Sequence, residues 1–278
     1  MRAGVRWTGV AYAALSLIPL SFSAAAACSA LNPRSPPERT RALSFFAWTG
    51  WVSLPLSVVL LAASPLVLLT DPVDRGLLNA VQQAWASATL YPFLQLNVRG
   101  ELPKADKPAI YVSNHNSLLD PYVLMSLGLP MRFVAREEVF YIPLVGWVCF
   151  LIGHVRLVRG DAQSGKAVIE QCARKLAAGR AWSVVFFPEG SRLGKLSDGL
   201  GEFKIGAFKV AEQANVPVTP VCIHGTRDAM PPGQELSCFK LGQTVTVDFL
   251  PMLQPRGDAQ ALKTAARESI ALGLCSVK

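Results

Sequence analysis

The sequence has no pair of cysteines at CxxC spacing, and none of its cysteines has a histidine at zinc-ligand spacing. Its six cysteines, Cys28, Cys149, Cys172, Cys222, Cys238 and Cys275, are scattered. That pattern reads as free, mostly buried thiols in a reducing compartment. Charge is also scarce. Asp, Glu, Lys and Arg make up 17% of the 278 residues, against roughly 25% in an average soluble domain. With 51% hydrophobic residues and a mean hydropathy of +0.33, a disordered tail and a coiled coil are both excluded. Acid is scarcer than base: 27 Lys and Arg against 19 Asp and Glu give a net charge of +8. Such a surplus suits a phosphorylated metabolite, nucleic acid or an acidic membrane surface. The basic residues are dispersed and no nucleic-acid-binding motif accompanies them, so nucleic acid is set aside. Apolar composition with a basic surplus favours the membrane. There is no internal repeat and no G-x-S-x-G, which disfavours a serine hydrolase; Ser191 sits in E-G-S-R-L-G with Glu189 where the first glycine would stand.

What charge there is falls unevenly. Glu38 is the only carboxylate before Asp71, and no lysine precedes Lys104. Two apolar stretches fill this region, 7–30 behind Arg2 and Arg6, and 42–70 between Arg41 and Asp71. A membrane span needs about 20 apolar residues, so both are long enough. The first also has the form of a cleaved targeting segment: basic, then apolar, then small residues, with an Arg-, Ala- and Ser-rich, acid-poor character that fits an organellar leader. The second carries Trp48 and Trp51 near one end, as interfacial anchors would stand, while Pro55 and Pro65 argue for a kinked or interfacial helix. Residues 32–41 (NPRSPPERTR) read as a linker. Over 74–96, Leu77, Leu78, Val81, Trp85 and Ala88 recur on one helical face. That helix either packs on the following domain or lies on lipid with Trp85 inserted. The expected division is therefore 1–41 targeting or first hydrophobic segment plus linker, 42–98 membrane-associated helices, and 99–278 a catalytic domain.

Beyond Gly100 the pattern is α/β. Strands are expected at 109–113, 131–135, 153–159, 183–187, 218–223 and 244–250, and helices at 118–127, 166–178 (stopped by Gly179) and 259–272. Strands alternating with helices predict a mixed sheet flanked by helices. Residues 160–167 (GDAQSGKA) nearly match a P-loop, but Ala167 lacks the hydroxyl that would hold a magnesium ion. A plain loop-to-helix join explains them better. His154 and His224 stand without partners at catalytic spacing and read as structural or surface residues.

Chemistry concentrates in short blocks. Asn114-His115-Asn116-Ser117-Leu118-Leu119-Asp120-Pro121 directly follows the expected strand 109–113. A histidine at a strand's end with an aspartate five residues on can fold back so that the carboxylate fixes the imidazole tautomer, making the other nitrogen a better base. The same residues also suit a plain helix start with Asn116 or Ser117 as cap. Phe187-Pro188-Glu189-Gly190-Ser191-Arg192 ends a second apolar strand. Its turn can offer backbone N–H groups and a guanidinium to a phosphate, or simply close as an exposed turn.

Taken in order, NHNSLLD, FVAREEVFYIPLVGW followed by GHVRLVR, FPEGSR and VPVTPV resemble the four blocks of the glycerolipid acyltransferase family, over roughly residues 100–250. The likeness is greatest to the members that acylate 1-acylglycerol-3-phosphate. The resemblance implies that His115 deprotonates the free hydroxyl of a lysophosphatidic acid, which attacks the thioester of an acyl-CoA or acyl carrier protein donor. Asp120 would orient His115. Glu189, Gly190, Ser191 and Arg192 would hold the glycerol phosphate, and Arg159 would add to phosphate binding. Arg156 departs from the family pattern, which favours an aromatic or aliphatic residue there. No metal, no redox cofactor and no acyl-enzyme is implied, and both substrates' acyl chains imply a lipid membrane as partner, in an organelle such as a plastid, the endoplasmic reticulum or a bacterial inner membrane.

Overall fold

Alternating apolar residues build a central sheet and divide the core between its two faces. In β2 (Ile110–Ser113) Ile110 and Val112 face one side and Tyr111 the other, and in β5 (Ser183–Phe186) Val184 and Val185 part in the same way. A side-chain period of two requires this. The computed structural model describes residues 37–104, 107–142, 145–178, 182–192 and 200–275. The first apolar stretch, with Cys28, and Gly179 lie outside them. The remaining strands are β1 (Leu94–Arg99), β3 (Met131–Arg136), β4 (Val155–Leu157), β6 (Val218–His224) and β7 (Gln243–Phe249). All are joined in one seven-stranded sheet in the order β1-β7-β6-β2-β5-β3-β4. Pairing is parallel throughout except between β6 and β7, so the sheet is mixed.

Helices cover both faces. On one lie α1 (Pro37–Thr70), α2 (Gly76–Leu90) and α3 (Leu119–Met125). On the other lie α6 (Ala162–Ala177), α7 (Gly206–Ala214) and α9 (Ala259–Cys275). Short helices α4 (Glu137–Phe140) and α5 (Val145–Ile152) follow β3, and α8 (Thr226–Ala229) follows β6. The near P-loop is a loop-to-helix join: Asp161 caps α6 by accepting from the Gln163 N–H.

Three sequence expectations change in the first hundred residues. The helical periodicity of 74–96 stops at Leu90, and Leu94–Arg99 is a strand that alternates half-buried and exposed residues and pairs in parallel with β7. A short period-two run at the end of a helical stretch is readable as either element until a partner strand decides. The apolar stretch 42–70 lies in one helix that already begins at Pro37, inside the expected linker 32–41, and runs unbroken through Pro55 and Pro65. Trp48, however, is not an interfacial anchor. It is 2% exposed and donates from Nε1 to the Ala88 carbonyl, and with Ala42, Phe45 and Val52 it shares a core with the sheet. Trp51, three residues on, stays exposed. Trp85 likewise turns inward, donating to Ser53 Oγ and stacking near Tyr122.

Candidate active site

Neighbouring parallel strands β2 and β5 deliver the two principal motifs side by side, just past their carboxyl ends, where open α/β sheets place their sites. The chain leaves β2 under tight control. Asn114 donates from Nδ2 to the Ile223 carbonyl and accepts the Ile223 N–H at Oδ1, which ties the motif to β6. Ser117 Oγ donates to the Met230 carbonyl.

The turn 115–120 then closes on Asp120. Its Oδ2 lies 2.9 Å from His115 Nδ1 and accepts the N–H groups of Asn116 and Ser117, while Oδ1 accepts from Thr226 Oγ1. Asp120 is fully buried and every contact it makes there is with a donor, so Nδ1 of His115 carries the proton it shares with Oδ2. The carboxylate thus clamps the imidazole and the turn, while α3 opens after Leu118 with no side-chain cap, so neither Asn116 nor Ser117 is its N-cap. The His115 ring stacks on Phe187 at 4.1 Å between centroids. Phe187 belongs to the second motif, so the two loops hold one another.

Glu189 completes that link by a route sequence spacing does not reveal. Its Oε1 accepts the backbone N–H of His115 and its Oε2 the N–H of Gly201. The side chain is buried at 6% exposure and does not line the adjoining cavity. Burial pushes its carboxyl up, against the pull of those two N–H groups and of His115. Gly190 follows with φ +71°, and a Cβ there would lie 2.8 Å from Lys204 Nζ. The positive φ strains any side chain at this position, whereas the Lys204 side chain can swing aside.

His115 opens onto a cavity of about 1490 Å³. One part of its wall is cationic. Arg159, Arg192, Arg136, Lys166 and Lys204 all line it, together with Gly190 and Ser191. Arg192 is held by a hydrogen-bonded ion pair to Glu235, whose position in the sequence carried no motif signal. Asp161 and Glu170 line the cavity too, and an apolar part of the lining, Leu56, Leu60, Val81, Val148 and Ile152, packs together. A general base, an excess of cations and apolar side chains share one space, which suits an amphiphile with an anionic head. Of the residues expected from sequence, His115, Gly190, Ser191, Arg192 and Arg159 share this cavity, while Asp120 and Glu189 stand behind it. Arg156 is exposed and does not line it. His154 is buried and accepts the Phe133 N–H at Nδ1, and His224 lies 3.1 Å from Asp248 at the β6–β7 pair.

Residues 95–224 match the family model described as Acyltransferase. The chain is 40% identical over 267 residues to a 1-acyl-sn-glycerol-3-phosphate acyltransferase of Chlamydomonas reinhardtii, covering 95% of this chain and 77% of that protein. It is 41% identical over 201 residues to a chloroplastic 1-acyl-sn-glycerol-3-phosphate acyltransferase of Arabidopsis thaliana, covering 71% of this chain and 55% of that protein. Among solved structures, the 1-acyl-sn-glycerophosphate acyltransferase of Thermotoga maritima matches the fold with a TM-score of 0.68 at 24% identity, over 85% of this chain and 94% of that one.

Proposed function

The chain belongs to the glycerolipid acyltransferase family, and from that premise we propose that it transfers a fatty acyl group to the free hydroxyl of 1-acylglycerol-3-phosphate, giving phosphatidic acid. The observation that carries this reading is the 2.9 Å contact of His115 Nδ1 with Asp120 Oδ2 beside a cavity lined by both cations and apolar side chains. With Nδ1 committed to Asp120, Nε2 is the nitrogen that takes the acceptor's hydroxyl proton. The hydroxyl oxygen bonds to the thioester carbonyl carbon, the carbon–sulfur bond breaks, and the thiolate leaves with the proton that Nε2 returns. Asp120 stabilises the imidazolium between those events. Arg192, Arg159 and the N–H groups of the 190–191 turn bind the phosphate, and the apolar part of the lining receives acyl chain. Glu189 is a positioning residue: it sets the backbone of His115 and of Gly201 and touches no substrate.

The donor is acyl-CoA or acyl carrier protein, and the site of action is a membrane. Similarity to chloroplastic relatives supports a plastid membrane. The test is detergent-purified enzyme with labelled oleoyl-CoA, and in parallel oleoyl-acyl carrier protein, against a panel of lysophospholipids and glycerol 3-phosphate. We expect transfer to lysophosphatidic acid, lost by about two to four orders of magnitude in His115→Ala with folding retained. Transfer to a different acceptor alone, or activity surviving in the variant, would overturn the acceptor or the base, respectively.

A further inference from the structure

The FVAREEVFYIPLVGW block opens an uncharged run that the catalytic reading does not use. From Val139 to Gly153 no residue carries charge. The run holds the end of α4 and all of α5, and α5 has two faces. Gly146, Cys149 and Ile152 are buried, and Val148 and Leu151 pack with Leu56, Leu60 and Val67 of α1 and with Val81 of α2. The other face is bare: Trp147 is 59% exposed and Phe150 71%, with Ile142 exposed just before them. Residues 147 and 150 share a face because they are three apart on a helix. Gly146 holds the elbow closed, since a Cβ there would lie 1.9 Å from the Phe140 carbonyl oxygen.

This bare face does not stand alone. α5 packs on α1 through Val148 and Leu151, and α1 in turn exposes Leu54, Val58 and Leu61. The exposed side chains on both helices are aromatic or aliphatic, and Arg75 Nη1 donates to the Phe150 and Leu151 carbonyls at the end of α5. The borders of the run are charged, with Arg136, Glu137 and Glu138 before it and Arg156 and Arg159 after it. Exposed large apolar side chains gathered on an uncharged segment that charged residues flank in the sequence mark an interaction surface. The occupant follows from what lies beneath. Leu56 and Leu60 of α1 and Val145, Val148 and Ile152 of α5 also line the cavity. The two helices thus have outer sides that are apolar and inner sides that wall the chamber next to His115.

We propose that the α4–α5 elbow is a second membrane-inserted element, with Trp147, Phe150 and Ile142 in the acyl region of the bilayer beside α1, and that lipid passes between bilayer and cavity at the seam of α1 and α5. Arg136, Arg156 and Arg159 then lie at headgroup depth, where anionic lipid attracts them. The passage of lipid rests on the proposed function. The insertion itself does not.

The test uses full-length protein in two arms. In the first, the protein is reconstituted into phosphatidylcholine and phosphatidylglycerol vesicles with brominated acyl chains, and tryptophan emission is compared between wild type and Trp147→Phe. Quenching of the emission that Trp147 contributes is expected. Emission from Trp147 that bromine leaves unquenched overturns the insertion. So does protection of Trp147 by a self-associated form of the chain, which would assign the face to a second copy. In the second arm Trp147→Ser with Phe150→Ser is assayed on two acceptors. A short-chain lysophosphatidic acid dissolved in water should turn over at the wild-type rate, and a long-chain acceptor embedded in vesicles about tenfold or more slowly. Equal rates on the embedded acceptor overturn the proposal. Absence of acyl transfer in the wild type counts against the proposed reaction, while the quenching arm still decides insertion.

Discussion

At the scale of single residues, the site is a set of carboxylates that serve backbone before they serve chemistry. Asp120 accepts from two backbone N–H groups and one hydroxyl besides the imidazole, so its removal would loosen the turn as well as the base. Glu189 is the sharper case, because its two oxygens are both taken by backbone. The glutamine in Glu189→Gln offers one acceptor where two donors wait, leaving one buried N–H facing an NH₂ group. A buried unsatisfied donor costs about 1–3 kcal/mol. Expressed in the transition state through a displaced His115, that lowers kcat about ten- to hundredfold, with the KM for lysophosphatidic acid held. Steady-state kinetics distinguish this from a phosphate ligand, whose loss would raise KM instead. A Glu in a Pro-Glu-Gly-Ser turn is legible in the sequence as a chemical residue. Which atoms it serves is not, because His115 and Gly201 come to it from 74 residues before and 12 after.

At the scale of elements, α1 combines two environments that composition alone merges. Its hydropathy marks a membrane helix, and 22% of its most apolar window is buried inside the protein. Phe45, Trp48 and Val52 are core residues by every contact they make, whereas Leu54, Val58 and Leu61 face out. Trp48→Ala removes a buried indole and its hydrogen bond to Ala88. It should lower stability by about 3–5 kcal/mol, read as a shift in the denaturation midpoint of the detergent-solubilised protein. Trp51→Ala, at an exposed position, should leave the midpoint nearly unchanged. An equal effect at the two positions would mean that α1 is not docked on the sheet as described. The elements missed in the sequence were short or dependent on a partner: β1 needs β7 to be a strand, and α5 reads as undivided apolar chain until its faces are known.

At the scale of the whole molecule, one buried histidine makes stability depend on pH. His154 is held neutral, its pKa lowered to about 3 by burial and then by the nearby Arg132 guanidinium. In the unfolded chain a histidine titrates near ~6.5. Between those values the unfolded state binds the extra proton, so stability rises with pH in that window and is lost as pH falls through it. Above it the histidine contributes no slope. A Tm series at decreasing pH should therefore fall from near-neutral pH, and His154→Gln, which keeps an acceptor for the Phe133 N–H, should flatten that limb. An unchanged limb in the variant would assign the acid sensitivity to other groups.

The sequence by itself determined the class of chemistry and the α/β architecture, because both are written locally. Five residues separate His115 from Asp120, so one turn brings them together, and a period of two in β2 and β5 sets which side chains face which half of the core. The apolar beginning of the chain was legible for the same reason. Only the tertiary structure decided what depends on segments far apart in the chain. It joined Glu189 to the backbone of His115 and Gly201, paired Arg192 with Glu235, turned Trp48 and Trp85 inward, and left Trp147 and Phe150 bare. Hydrophobicity specifies that a side chain must leave water, but packing against another element decides whether it does so into protein or toward lipid.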